Sequence, residues 1–332
     1  MSRQTAETYT LVADIGGTNT RVALARGATL LTETVSRYRN AEAPGLETIL
    51  RSFLDTQGDV ICIGACIALA GPVKAGRGTM TNLDWEIDEA ALTRATQAEN
   101  VSILNDLQAQ GFAIGNLAEG SVTTLAPGTG DAASDTKLVL GVGTGFNIAP
   151  VYETPHGRIV PPSEAGHANL PVRDEDELRL IRHFETAHGF PAVEDMLSGR
   201  GLERVYHWLS EEAGSPAEKS AADIMQAFES NTDPIARDAA EMFVRMLGTV
   251  AGNLSLITLP FGGIYFAGGV ARAFAAHFRA LGFIEAFRDK GRFAGFMQNF
   301  PIHVIEDDYA ALTGCASYLD SVSRNAVATS SP

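Results

Sequence analysis

The chain is poor in cysteine, in basic residues and in long apolar runs, and each shortage closes off a class of protein. Only Cys62, Cys66 and Cys315 are present, too few for a disulfide framework and without the paired spacing of a cysteine zinc site. Cys62 and Cys66 fall in "VICIGACIALAG", which reads as a buried strand. There they share one face two pleats apart, beyond disulfide reach, and act as small apolar residues. Twenty-five Lys and Arg stand against 40 Asp and Glu, a net charge of −15. Without a basic cluster that balance repels nucleic acid and anionic membrane surfaces. No apolar run is long enough to span a bilayer, and "MSRQTAETYT" lacks the apolar centre of a signal peptide. The expectation is a cytoplasmic protein with no nucleic-acid or membrane partner.

What the chain does have is size and glycine-marked strands. Its 332 residues exceed the span at which one core stops growing, about 250–300 residues, so two domains are expected. The opening reads as strand, Gly-rich turn, strand, and a third strand through "LLTETVSRYRN", followed by a helix at "GLETILRSFLDTQ". "TNLDWEIDEAALTRAT" reads as a loop entering a capped helix, and "ENVSILNDLQAQGFAIG" as a strand running into Asn105 and Asp106 and then a helix. After the polar loop "APGTGDAASDT", "TKLVLGVGTGFNIAPVYE" repeats the opening pattern of strand, Gly-rich turn and strand, a weak internal repeat. Helical periodicity dominates from Glu175 to about Ile257, and a last helix begins near Tyr309. Strands alternating with helices make the fold α/β, and the hairpins make each half a mixed sheet. The boundaries drawn are a small lobe at 1–115 completed by a helix at 308–324, a large lobe at 116–307 with a cleft between the two, and a frayed tail at 325–332.

Three glycine-bearing turns carry phosphate chemistry. In "LVADIGGTNTRVAL" an apolar strand ends at Asp14, and Gly16, Gly17, Thr18 and Asn19 follow. Exposed backbone N–H groups, a hydroxyl and a carboxylate able to hold a hydrated cation make a cradle for phosphate and magnesium. A tight hairpin with a polar tip is the plainer reading of the same residues. "GVGTG", with Gly143, Thr144 and Gly145, repeats the device, whereas "PGTGD" ends in Asp131, which would oppose a phosphate, and is set aside as a surface loop. Gly268 and Gly269 join "IYFA" to a helix and admit close approach of a flat ligand or its phosphates.

"DIGGTN", "GVGTG" and "AGG", in this order, resemble the phosphate 1, phosphate 2 and adenosine motifs of the two-lobed, ribonuclease H-like ATPase fold shared by actin, heat-shock chaperones and sugar kinases. Together with "TNLDW", "LNDLQA", "SEAGH", "EDMLSGRGL", "FAGGV" and "DKGRF", they resemble the bacterial glucokinase family over residues 13 to 293. The resemblance implies ATP-dependent phosphorylation of glucose at its 6-hydroxyl, with ATP and Mg2+ as cofactors and a homodimer as the assembly. It implies Asn105, Asp106, Glu164, His167 and Glu194 as sugar ligands, Asp106 as the catalytic base and Asp14 as the residue holding magnesium. Carboxylates, an amide and an imidazole suit a ring of hydroxyls that both donate and accept. Each also has a plainer reading: Asn105 and Asp106 as a helix cap, Glu164 and His167 as loop partners, Glu194 as a first-turn acid. Against the family pattern, Asn147, Ser163 and Ala165 stand where glycine is usual and Asn169 replaces an acidic residue. A kinase for another hexose and a sugar-binding regulator of the same fold are the alternatives. The regulator would need a DNA-binding headpiece, and only about ten residues precede the first strand.

Overall fold

Alternating apolar and polar residues produce the strands, and amphipathic segments between them produce the helices, of a computed structural model that describes residues 8–80, 83–129 and 136–330. The chain runs β1 (Thr8–Ile15), β2 (Asn19–Arg26), β3 (Thr29–Leu30), β4 (Ser36–Arg39), α1 (Leu46–Thr56), β5 (Ile61–Leu69), β6 (Val73–Lys74), β7 (Arg77–Met80), β8 (Leu83–Asp88), α2 (Glu89–Thr96), β9 (Asn100–Asn105) and α3 (Asp106–Ala113). It continues through β10 (Val122–Ala126), β11 (Thr136–Val142), β12 (Phe146–Thr154), β13 (Gly157–Ile159), α4 (Glu175–His188), α5 (Val193–Met196), α6 (Gly199–Glu212), α7 (Ala221–Glu229) and α8 (Pro234–Thr258). It ends with β14 (Ile264–Ala267), α9 (Gly269–Ala275), α10 (Phe283–Arg288), β15 (Ile302–Ile305) and α11 (Ala310–Ser330).

Two compact units result. The first takes the chain up to Glu119, Glu153–Val160 and everything from Asp307 on, and the second takes Gly120–Tyr152 and Pro161–Glu306. The sheet of the first has the order β3-β2-β1-β5-β9, with β4 also on β2. β1 pairs antiparallel with β2 and parallel with β5. Leu11, Ala13 and Ile15 of β1 pack with Leu50 and Phe53 of α1 in its core. The other large sheet has the order β10-β15-β14-β11-β12-β13. β11 repeats the arrangement of β1, antiparallel to β12 and parallel to β14. Its Leu138, Leu140 and Val142 are buried with Phe243, Phe266 and Phe274. Both arrangements form mixed sheets flanked by helices.

Local structure departs from the sequence reading in three places. "LLTETVSRYRN" is not one strand: a 3-10 turn at Thr32–Thr34 divides β3 from β4. Thr34 Oγ1 accepts from the Leu24 N–H at 2.9 Å and donates to the Leu31 carbonyl at 2.7 Å, taking over bonds a continuous strand would make. Leu83–Asp88 is a strand rather than a loop, paired with β7. Its Leu-Asp-Trp-Glu-Ile-Asp alternation has period two, with Ile87 buried, but the acids disguise it. Asp88 does cap α2, accepting from the Ala91 N–H at 2.7 Å. Finally, α11 extends to Ser330, past the boundary drawn at 324, because no glycine or proline stands between Gly314 and Pro332. Thr81 and Asn82 of "TNLDW", Gly130 and Asp131 of "PGTGD", and residues 331 and 332 lie outside the described residues.

Candidate active site

In the first unit the site begins at the end of β1. Asp14 is the strand's penultimate residue and lies opposite Arg21 in the β1–β2 register, whose Nη1 approaches Asp14 Oδ2 at 3.4 Å. Between them the Gly16–Thr18 turn is closed by the Gly16 N–H donating to the Asn19 carbonyl at 3.0 Å. Asn40, buried at 2% exposure, braces this turn. Its Nδ2 donates to the Gly16 carbonyl at 2.8 Å, its N–H donates to the Thr18 carbonyl at 3.0 Å, and its Oδ1 accepts from Thr20 Oγ1 at 2.8 Å.

Asn105 and Asp106 stand where β9 passes into α3. Asn105 is the N-cap: its Oδ1 accepts from the Leu107 N–H at 3.0 Å, while Gln108 Oε1 accepts from the Asn105 N–H at 3.1 Å, a complete capping box. Its Nδ2 donates to the Gly71 carbonyl at 3.1 Å. The cap is Asn105 rather than Asp106, which occupies the first helical position. Burial, followed by the charge of Asp14, pushes the Asp106 carboxyl up to about 7, against the pull of the N–H groups bonded to it. Burial likewise raises Asp14, opposed by the Arg21 guanidinium.

In the second unit β11 ends at Val142, and the Gly143–Gly145 turn leads into β12. The Gly143 N–H donates to the Gly145 carbonyl at 2.9 Å, and the Gly143 carbonyl accepts from the Gly199 N–H at the start of α6 at 2.9 Å. Glu194, on α5, lies against the turn: Oε2 accepts from the Phe146 N–H at 2.9 Å, and a Cβ on Gly145 would lie 2.3 Å from the same oxygen. Gly268 has φ +98°, and a Cβ there would lie 2.5 Å from the Val142 carbonyl oxygen, so only glycine brings the entry of α9 onto the end of β11. Gly269 is the first residue of α9. Glu164 precedes a 3-10 turn at Ala165–His167 and both Glu164 and His167 are exposed. The chain beyond them is held to the approach of α5 by an Asn169–Ala192 bridge, and the Ala168 carbonyl accepts from the Val193 N–H at 2.9 Å. That pairing gathers Glu164, His167 and Glu194 beside the Gly143–Gly145 turn. Asp14, Asn105 and Asp106 are gathered in the first unit.

The glucokinase family model matches residues 11–322, and a glucokinase of Saccharophagus degradans is 32% identical over 316 residues, 94% of this chain and 98% of that one. The chain belongs to the glucokinase family. Among solved structures, a glucokinase from an Antarctic psychrotroph superposes with a TM-score of 0.84 at 27% identity, covering 94% of this chain and 99% of that one. A Balamuthia mandrillaris glucokinase, crystallised in complex with glucose, has a TM-score of 0.80 at 24% identity over 95% and 94% of the two chains, a likeness of fold.

Two residues of this family member escaped the sequence reading. Arg21 could have been found by pairing β1 and β2 across the "IGGT" turn, which sets it against Asp14. Asn40 carries no such mark, since it lies 24 residues beyond the glycine it holds. A divalent cation suits the first unit: Asp14 and Asp106 are two buried carboxylates that feel one another's charge, and Arg21 lies against Asp14.

Proposed function

We propose that this protein transfers the γ-phosphoryl group of ATP to the 6-hydroxyl of glucose, giving glucose 6-phosphate and ADP. The observation that carries the reading is Asp106, held at about 7 on the first turn of α3. A base at that value is half ionised at neutral pH and can take a hydroxyl proton as the new O–P bond forms. Asn105, Glu164, His167 and Glu194 hold the remaining hydroxyls. The N–H groups of the Gly16–Asn19 and Gly143–Gly145 turns receive phosphate oxygens, and Gly268 and Gly269 leave room for the adenosine. Asp14 would hold magnesium, which would supply charge neutralisation for the transferring group. As the 6-oxygen joins phosphorus, the bond to the bridging oxygen of ADP breaks, and Asp106 retains the proton. Use of ATP supports a cytoplasmic setting for the reaction, and the family resemblance supports a homodimer, which sedimentation would detect.

The test is ADP release measured with ATP, magnesium and a panel of hexoses. Glucose should give the highest kcat/KM, and release should be near background without sugar. Equal release with and without glucose would overturn the reading. A preference for another hexose would transfer it to that sugar.

A further inference from the structure

We infer that Asn147 is a positioning residue for Glu164, and that its amide shapes the loop at 163–165 that offers this carboxylate. The inference rests on the reading of Glu164 as a sugar ligand. Asn147 is the second residue of β12, one step beyond Phe146, and it is partly buried. Its single amide engages both sides of Glu164. Nδ2 donates to the Ser163 carbonyl and, at 3.5 Å, to Glu164 Oε2, while Oδ1 accepts from the Ala165 N–H at 3.1 Å and from the Ile148 N–H at 2.8 Å. The Ala165 N–H also donates to Ser163 Oγ at 3.2 Å.

The chemistry follows from the donor inventory. An amide offers a donor and an acceptor on one short rigid plane, so it can bond a carbonyl and a carboxylate on one edge and N–H groups on the other. Glycine at 147 would make none of the side-chain bonds. Ser163 and Ala165 reduce the freedom of the loop relative to glycine, and Asn147 fixes the remaining orientation. Glu164, exposed and just before a 3-10 turn, would otherwise sample several rotamers. Asn147 therefore links the strand leaving the Gly143–Gly145 turn to the carboxylate offered to the sugar.

A double-mutant cycle tests this, using Asn147→Ala, Glu164→Gln and their combination in the full chain, with KM for glucose and for ATP measured separately. The expected result is a rise of roughly 10-fold in glucose KM for Asn147→Ala, of the size of a lost hydrogen bond to a charged group, with kcat and ATP KM within about threefold. The double variant should be no worse than Glu164→Gln alone. Asn147→Asp should be worse than Asn147→Ala, because it keeps the acceptor but turns a second carboxylate towards Glu164 and the Ser163 carbonyl. That order is one a merely structural role would not produce. Amide exchange at Ala165 should quicken in Asn147→Ala and stay slow in Asn147→Asp. If Glu164→Gln raises glucose KM and Asn147→Ala does not, or if the two effects add, the inference is overturned while the sugar-site reading stands. If Glu164→Gln leaves glucose KM unchanged, the assignment of Glu164 fails and takes the inference with it.

Discussion

The β1–β2 and β11–β12 hairpins share a backbone and differ in chemistry. Each has a central strand with an antiparallel partner on one side and a parallel one on the other, and each closes on a glycine turn whose N–H groups suit phosphate. At the first turn the strand delivers a carboxylate, Asp14, answered by Arg21 across the pair and by the Asn40 amide behind the turn. At the second the strand ends in Val142, and a carboxylate comes from outside the hairpin: Glu194 arrives from α5 to accept from the Phe146 N–H. Under the proposed function the repeated backbone provides the phosphate contacts. On the same reading, what surrounds each turn decides what else it does, with the cation, the proton acceptor and Asn105 in the first unit and the remaining sugar ligands in the second.

The sharpest break in that division is Asp106→Asn. The amide keeps the shape and loses the base, so kcat should fall by roughly 10²- to 10⁴-fold, the worth of a positioned acid–base group, while glucose still binds. Turnover of the folded variant by stopped assay, with glucose binding by calorimetry, checks this. Near-normal turnover would remove Asp106 from its role.

On the second hairpin, Gly145→Ala sets a methyl 2.3 Å from Glu194 Oε2. The obstacle is the end of a side chain, so the fold should survive and the carboxylate should swing away. Glucose KM should rise by roughly 10- to 100-fold, as for a site group displaced from its hydroxyl, and a thermal melt should change little. A large loss of stability instead would show that Glu194 cannot move.

On the first hairpin, Asn40→Ala removes the brace behind the turn and leaves the buried Thr20 hydroxyl and the Gly16 carbonyl without their partner. The expected cost is about 1–3 kcal/mol of stability, read by denaturant titration, with a rise in ATP KM and little change in glucose KM. A larger effect on glucose than on ATP would place Asn40 in the wrong half of the division.

These differences explain what was legible in the sequence. The glycine turns were, because strand alternation, the breaker and the resumption of strand lie within one dozen residues, and the wider motif order pointed to the family. So was the transition at Asn105 and Asp106, although its capping box and its chemistry use the same two residues. β8 was obscured because Asp-Trp-Glu-Ile-Asp reads as polar when charge is weighed before period. Asn40 was invisible because its value comes from tertiary proximity to Gly16, which no local pattern encodes. Asn147 was visible as a departure from glycine, but its purpose needed the position of the 163–165 backbone.

The smallest expected effect is a shift in titration, and it bears most directly on why the two hairpins differ. Asp106 is raised from 3.8 to about 7, by burial first and by Asp14 second. A carboxyl raised on folding holds its proton more firmly in the native than in the unfolded chain. Its contribution to stability is therefore fully present below about 4 and is lost as pH rises through about 7. Over that window the ligand-free protein should lose stability, other groups being equal, and kcat/KM should rise as the base ionises. Asp14→Asn removes the like charge but not the burial. The Asp106 midpoint, followed by carboxyl NMR in the ligand-free protein, should fall part of the way towards 3.8 and stop short of it, since the larger cause remains. A midpoint unmoved by Asp14→Asn would mean that the two carboxylates do not sense one another. The first hairpin would then hold its cation without tuning the base, and the division of roles between the two turns would lose its electrostatic reason.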